Sequence, residues 1–406
     1  MPAAAPPQPR DRLRSIDLVR SAIMALMVID HARFYLSGAS YPPEDLQHTT
    51  LPLFLTRFVT HFCAPGFFLL AGISARLATL RSGTGGGARA WLLSRGAWLV
   101  LLELTIVGFA WAFTPGGSFA GVIWGLGWSF ILLAALLPLP APAVGGIGLA
   151  VIVLRHLVEG VSPSGAVASS LWKIVCVPGR IATPSGWSWF VLYPIVPWAA
   201  VMAAGYGLGD LFAGDADRRA RRLRAAGLAA IAAFVLLRLT GVYGHAPRAF
   251  MPGAPTTFAA QSTPSLSLIA FLDTEKYPPS LEYLLMTLGP ILLALGALAR
   301  RDSRPSPSPS RGSAVLGLFG RTPMAFYIAH LYIVHLLAYG LARTAGMPAA
   351  WLGWNAADVE RPDAGYGFAL PVVYAATLIV LLLLVPLCAR VDRLKARGGS
   401  RLWRYL

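Results

Sequence analysis

Ten apolar runs, each about 20 residues long, constrain this chain more than any other feature. A helix needs about 20 mostly apolar residues to cross a bilayer. Runs of that kind fall at 17–37, 53–75, 90–113, 119–138, 142–159, 189–213, 224–243, 279–299, 322–343 and 367–389. Composition agrees: 56% of the 406 residues are hydrophobic and only 13% are charged. Soluble domains carry nearer ~25% charged residues. Disorder, coiled coil and a disulfide scaffold are excluded by the same arithmetic. The expected fold is all-α, a polytopic integral membrane helical bundle of about ten transmembrane helices.

The formal charge of +16 would suggest nucleic acid if it were scattered over a soluble surface. Its placement argues otherwise. Arg10, Arg12 and Arg14 precede the first run, and Arg76, Arg81 and Arg89 join the second to the third. Arg218, Arg219, Arg221 and Arg222 follow the sixth, Arg300, Arg301, Arg304 and Arg311 follow the eighth, and Arg390, Arg393 and Lys395 follow the tenth. With ten spans these all fall on one side. The opposite loops hold Lys173, Arg180, Arg248, Lys276 and Arg361. The positive-inside rule then puts both termini in the cytoplasm. No nucleic-acid partner is expected; the bilayer is the partner that this pattern implies.

Residues 1–12 read as a disordered cytoplasmic tail, 13–397 as one transmembrane domain, and 398–406 as a short cytoplasmic tail. The first run is no cleavable signal, because it contains Arg20, Asp30 and His31. The Pro/Ser stretch at 302–312 is a linker. The outer segments 38–52, 160–188, 244–278 and 344–366 are long enough to fold, and 264–272 suits an interfacial position. Cys63, Cys176 and Cys388 are too far apart in sequence to suggest a metal knuckle or redox pair. No metal site is expected, and no zinc helix motif, phosphate loop or nucleophile elbow is present. The Gly83–Gly87 segment has no strand before it and reads as a linker.

Ionisable side chains at membrane depth cost ~2.5–3.5 kcal/mol each and point to function. The first span is the extreme case, with Arg20, Asp30, His31 and Arg33. It should sit inside the bundle. Arg20 and His31 are eleven residues apart, an advance of ~1100° and a rise of ~16 Å. Both therefore share one helical face, Arg20 near the cytoplasmic end and His31 in the outer half. A ligand entering from the cytoplasm would have its anionic end at Arg20 and its reacting end at His31. The plainer alternative is that Arg20 pairs with Asp17 or snorkels.

Arg57 and His61 stand at i and i+4 in the second span, and Pro65 and Gly66 should kink it. His61 suits a second acid/base or an orienting role; the alternative is an interhelical polar pair. Glu103 in the third span needs a partner, with Arg57 or Arg95 as candidates. His330 and His335 lie ~140° apart on the ninth span, so at most one should face the site. Arg321 marks the cytoplasmic edge of that span. His48, in the first outer loop, is either an acceptor-side base or a surface histidine.

The segments RLRSIDLVRSAIMALMVIDHARFYL (12–36) and LFLTRFVTHFCAPGFFLLAGISA (53–75) resemble the heparan-alpha-glucosaminide N-acetyltransferase catalytic-domain family, in its bacterial branch. The likeness continues in order through YPIVPWAAVMAAGYGLG (193–209), FLDTEKYPPSLEYLLMTLGP (271–290), FGRTPMAFYIAHLYIVH (319–335) and PLCARVDRLKA (386–396). The pairing of Arg20 with His31 across ten residues is also similar to the Arg-x10-His feature of the type-three membrane acyltransferases. The lysosomal member differs, with Asn at the position of His31 and its catalytic His in the loop that here offers His48.

The resemblance implies an acyltransferase of the bacterial cytoplasmic membrane. It would take acetyl from cytoplasmic acetyl-CoA and deliver it to an extracytoplasmic amine or hydroxyl. A glycan, a lipid-linked sugar and a small amine remain open as acceptors, as does assembly into homo-oligomers. His31 would act as base, His61 and Arg57 would assist, His48 is a further candidate, and Arg20 and Arg321 would face CoA. The competing reading is a sugar or lipid transporter or flippase that uses the same residues as a proton relay.

Overall fold

Apolar runs this long leave backbone N–H and C=O groups no water to bond, so they must become helices. The computed structural model describes residues 13–114, 119–182, 188–302, 311–353, 361–362 and 364–397. The two expected tails and most of the Pro/Ser linker lie outside these residues. A helix occupies each of the ten expected spans. In chain order the elements are α1 (Arg14–Leu36), α2 (Leu51–Phe58), α3 (Cys63–Ser82), α4 (Gly86–Leu102), α5 (Gly108–Ala112), β1 (Phe119–Ala120), α6 (Val122–Leu136) and α7 (Ala141–Leu154). They continue with α8 (Ala166–Val175), β2 (Gly179–Ala182), β3 (Ser188–Val191), α9 (Ile195–Leu208), α10 (Ala216–Thr240), α11 (Pro264–Leu272), α12 (Leu281–Leu298), α13 (Arg311–Arg321), α14 (Pro323–Thr344) and α15 (Leu370–Ala396).

Eight helical stretches are long and apolar enough to cross a membrane. The chain is an all-α polytopic membrane protein. Two expected spans fall outside those eight. One is α6, with 15 residues. The other is α1, whose charges break its apolar run. The fold answers this by enclosing α1: α3, α12, α13, α14 and α15 all pack on it. Val28, Ala32 and Leu36 on α1 are fully buried.

Glycine crossings hold the bundle together. A Cβ on Gly72 of α3 would lie 2.0 Å from the Met202 carbonyl oxygen, and one on Gly205 of α9 would lie 2.2 Å from that of Leu69. These helices meet backbone to backbone, as small residues allow in membranes. A Cβ on Gly320 would likewise lie 2.6 Å from the Asp17 carbonyl oxygen, which brings α13 hard against the start of α1.

Two spans are interrupted. Between α2 and α3 the chain tightens into a 3-10 turn at Val59–Phe62. Pro65 has no N–H to offer the His61 carbonyl four residues back. The Tyr283 hydroxyl donates to that carbonyl instead, at 2.7 Å. The break thus lies just before the expected kink at Pro65 and Gly66. Between α4 and α5 a π-helical turn runs through Glu103–Val107.

The outer segments do fold. They contribute a small sheet that the apolar pattern did not announce, in the order β1-β3-β2. Phe119 and Ala120 pair in parallel with Phe190 and Val191, and β2 pairs antiparallel with β3. The segment 264–272 is the helix α11, packed against α2.

Candidate active site

At the arginine-rich end of the bundle lies a cavity of about 530 Å³. Its polar wall carries Arg20, Arg81, Arg95, Arg321 and Lys395. Its apolar wall includes Met24, Phe67, Leu99, Phe130 and Tyr327. Arg20 is held three ways: it donates to Asp17 Oδ1 at 3.1 Å, Ser74 Oγ at 3.0 Å and the Gly320 carbonyl at 3.4 Å. The pairing with Asp17 and the lining of a cavity are therefore both true of it. Arg321 donates to both Asp392 carboxylate oxygens, with the Nη2–Oδ2 distance at 2.8 Å. Lys395 donates to the Arg321 carbonyl at 3.2 Å. The structure thus brings together Arg20 and Arg321, 301 residues apart, and adds Arg81, Arg95 and Lys395. Several basic side chains beside an apolar wall suit a ligand with a phosphate-bearing head and a narrow arm.

Two turns above Met24 on the same helix is His31, 9% exposed. Its Nδ1 lies 2.7 Å from His330 Nε2 and the two share one hydrogen bond. The His330 Nδ1 donates to the Phe326 carbonyl at 3.1 Å. Trp111 packs its ring edgewise on His31 at 5.0 Å. Tyr327 links the two levels, because it lines the cavity and also packs edgewise on His330 at 5.3 Å. Of the two histidines on α14, His330 joins this site. His335 faces elsewhere, between the carbonyls of Ala110 and Leu352.

Beside His31 a charged cluster closes the opposite end. Arg57 Nη1 donates to both Asp30 oxygens at 3.0 and 2.9 Å, and its Nε donates to Glu44 at 3.1 Å. Arg33 donates to Asp30 at 2.9 Å. His61 is buried, with Nε2 3.7 Å from Glu44. Arg57 and His61 do meet through this one carboxylate. Burial pushes the Glu44 carboxyl up, but the His61 ring and the Arg57 guanidinium outweigh it and hold it well below the usual carboxylate range. In the neighbouring loop, burial pushes Glu275 up to about 7, against a hydrogen bond from the Tyr277 N–H.

Sequence reasoning missed Lys276, which it counted only as a loop charge. It is buried, 6% exposed, in the segment just before α12. Its Nζ lies 4.9 Å from the Tyr277 ring centroid. The sequence signal was slight: a lysine against an aromatic and two prolines, immediately before a span. Glu44 was missed too, because a loop carboxylate gives no sign of folding inward. His48, by contrast, stays outside: its side chain is 59% exposed and is paired with Asp45 at 2.6 Å.

Glu103 corrects an expectation. It pairs with neither Arg57 nor Arg95. It accepts the backbone N–H groups of Gly121 at 3.2 Å and Trp124 at 3.0 Å, at the start of α6. A helix N-terminus has unsatisfied donors and favours a carboxylate there. Arg95 instead lies over the Phe130 ring.

Comparison with known proteins adds one finding. The family profile described as heparan-alpha-glucosaminide N-acetyltransferase, catalytic, matches residues 12–241. No curated protein matches the chain. The match spans more than half of the sequence and holds Arg20, His31, His48, Arg57 and His61. The chain belongs to the heparan-alpha-glucosaminide N-acetyltransferase catalytic family.

Proposed function

We propose that this family member is an acyltransferase that takes acetyl from acetyl-CoA and passes it across the membrane to an amine or hydroxyl. By the positive-inside rule the arginine-rich end faces the cytoplasm. The observation that carries the reading is a basic cavity and a buried histidine pair on successive levels of α1. Arg20, Arg81, Arg95, Arg321 and Lys395 would meet the phosphates of CoA, and the pantetheine arm would rise along Met24 and Tyr327 toward His31. The ~16 Å rise between Arg20 and His31 suits that arm.

His31 takes the proton from the acceptor N–H or O–H as that atom attacks the thioester carbon. The new acyl bond forms, the carbon–sulfur bond breaks, and His31 returns the proton to the leaving thiolate. Arg57 and Lys276 supply positive charge beside the reacting oxygen. Glu44 orients His61 and Arg57 on the acceptor side. His48, at the surface, would meet an arriving acceptor rather than the thioester.

The test is CoA binding by the detergent-purified protein. A ligand at a hundredfold its Kd stabilises the folded state by about 2.7 kcal/mol. CoA should therefore raise the melting temperature of the wild type, and Arg20→Gln/Arg321→Gln should reduce the rise. An unchanged melting temperature at millimolar CoA would remove this reading and favour the transporter.

A further inference from the structure

The hydrogen bonds around His330 decide which nitrogen of His31 is free to act. A backbone carbonyl can only accept, so the His330 Nδ1 that lies 3.1 Å from the Phe326 oxygen carries a hydrogen. His330 is fully buried, and no carboxylate contacts it among the described residues. A charged ring without a counter-charge is costly in such a place, so the ring is neutral. A neutral imidazole with hydrogen on Nδ1 has a lone pair on Nε2. That Nε2 lies 2.7 Å from His31 Nδ1, which must then be the donor. His31 is thereby fixed with hydrogen on Nδ1 and a lone pair on Nε2. The Nε2 atom makes no hydrogen bond among the described residues.

We propose that His330 is a positioning residue, which holds His31 in the tautomer and ring orientation that present a basic Nε2 to the acceptor. The statement rests on the acyltransferase reading for its use, although not for its geometry. The two rings lie 15° from parallel with centroids 4.9 Å apart, and the edges of Trp111 and Tyr327 limit their rotation. When Nε2 of His31 takes the acceptor proton, the Nδ1 hydrogen stays where it is. Its bond to His330 becomes charge-assisted and stronger. His330 itself gains and loses no proton, and the proton on His31 leaves with the thiolate. Without His330 the free imidazole preference for hydrogen on Nε2 returns, and the ring then has no lone pair on the acceptor side.

The decisive measurement is nitrogen-15 NMR of the full-length purified protein, with all seven histidines ring-labelled. Signals are assigned by replacing one histidine at a time with Gln. His31 should show a protonated Nδ1 and an unprotonated Nε2 near pH 8. A protonated Nε2 on His31 overturns the proposal without any variant at position 330. His330→Gln keeps an acceptor oxygen near the former Nε2. It should preserve the His31 tautomer and most of the turnover of [14C]acetyl-CoA. His330→Leu should lose both, with kcat lowered toward the roughly 10²–10⁴-fold that general-base catalysis is worth and KM for acetyl-CoA changed less than about twofold. Equal losses in the Gln and Leu variants, or losses in KM alone, would also overturn it. A wild type that does not turn over acetyl-CoA would end the acyltransferase reading, while the ring-nitrogen signals would still decide this one.

Discussion

His31 and Glu275 show how far a single side chain can be followed. General-base catalysis is worth typically 10²–10⁴-fold. His31→Ala should therefore leave a folded protein whose transfer from labelled acetyl-CoA falls at least about 10²-fold. Near-normal transfer would show that the base lies elsewhere. Glu275 gives a pH prediction. Burial raises its carboxyl to about 7 in the folded protein, against ~4.3 in an unfolded chain. Between those values the folded state keeps a proton that the unfolded state has released. Stability from this group is full below about pH 4 and is lost as pH rises toward 7. Glu44 has the opposite sign: its lowered value contributes stability that is lost only as the medium becomes strongly acid. Melting curves of wild type and Glu275→Gln from pH 5 to 8 separate the two, because the loss toward neutral pH should vanish in the variant. At this scale the sequence marked Arg20, His31, Arg57 and His61 by their cost in a membrane. It gave no such mark to Lys276 or Glu44, because a loop residue costs nothing until the loop folds inward.

Helices follow from local chemistry, and their interruptions follow from partners. The ten apolar runs were legible because length and hydropathy are properties of a segment alone. The turn at Val59–Phe62 depends on Tyr283, 222 residues from His61, which satisfies the carbonyl left free by Pro65. The sheet was hidden for a similar reason: β1 has two residues, and its partner lies some 70 residues on. Strands so short carry no period to read. The crossing of α3 and α9 supports a prediction at this scale. Gly72→Leu must push the helices apart, since even a Cβ would lie 2.0 Å from the Met202 oxygen. It should abolish a monodisperse peak in detergent chromatography. Gly146→Ala on α7, where nothing lies within 4 Å, should leave that peak unchanged. Similar profiles for the two variants would show that the glycine crossing does not hold the bundle.

For the molecule as a whole, the charge of +16 is read as an orientation signal, and the proposed function gives part of it a ligand to meet. If all ten helices cross, with basic residues gathered at one end, both termini should face the cytoplasm. Fusions at the C-terminus test this: a fluorescent protein should mature there, and alkaline phosphatase should stay inactive. Active phosphatase would reverse the orientation and place the basic cavity outside, where acetyl-CoA is not supplied. The sequence by itself determined the membrane class, a helix at each of the ten apolar runs and the enclosure of α1. Those properties depend on hydropathy, charge and helical period within one segment. Only the tertiary structure decided which side chains meet. His31 bonds to His330 across 299 positions, and Arg20 reaches the Gly320 carbonyl across 300. Lys276 turned inward, and His48 stayed at the surface. Such contacts are set by the rotation and height of one helix against another. Backbone-close crossings fix those variables, and spacing along a single helix does not contain them.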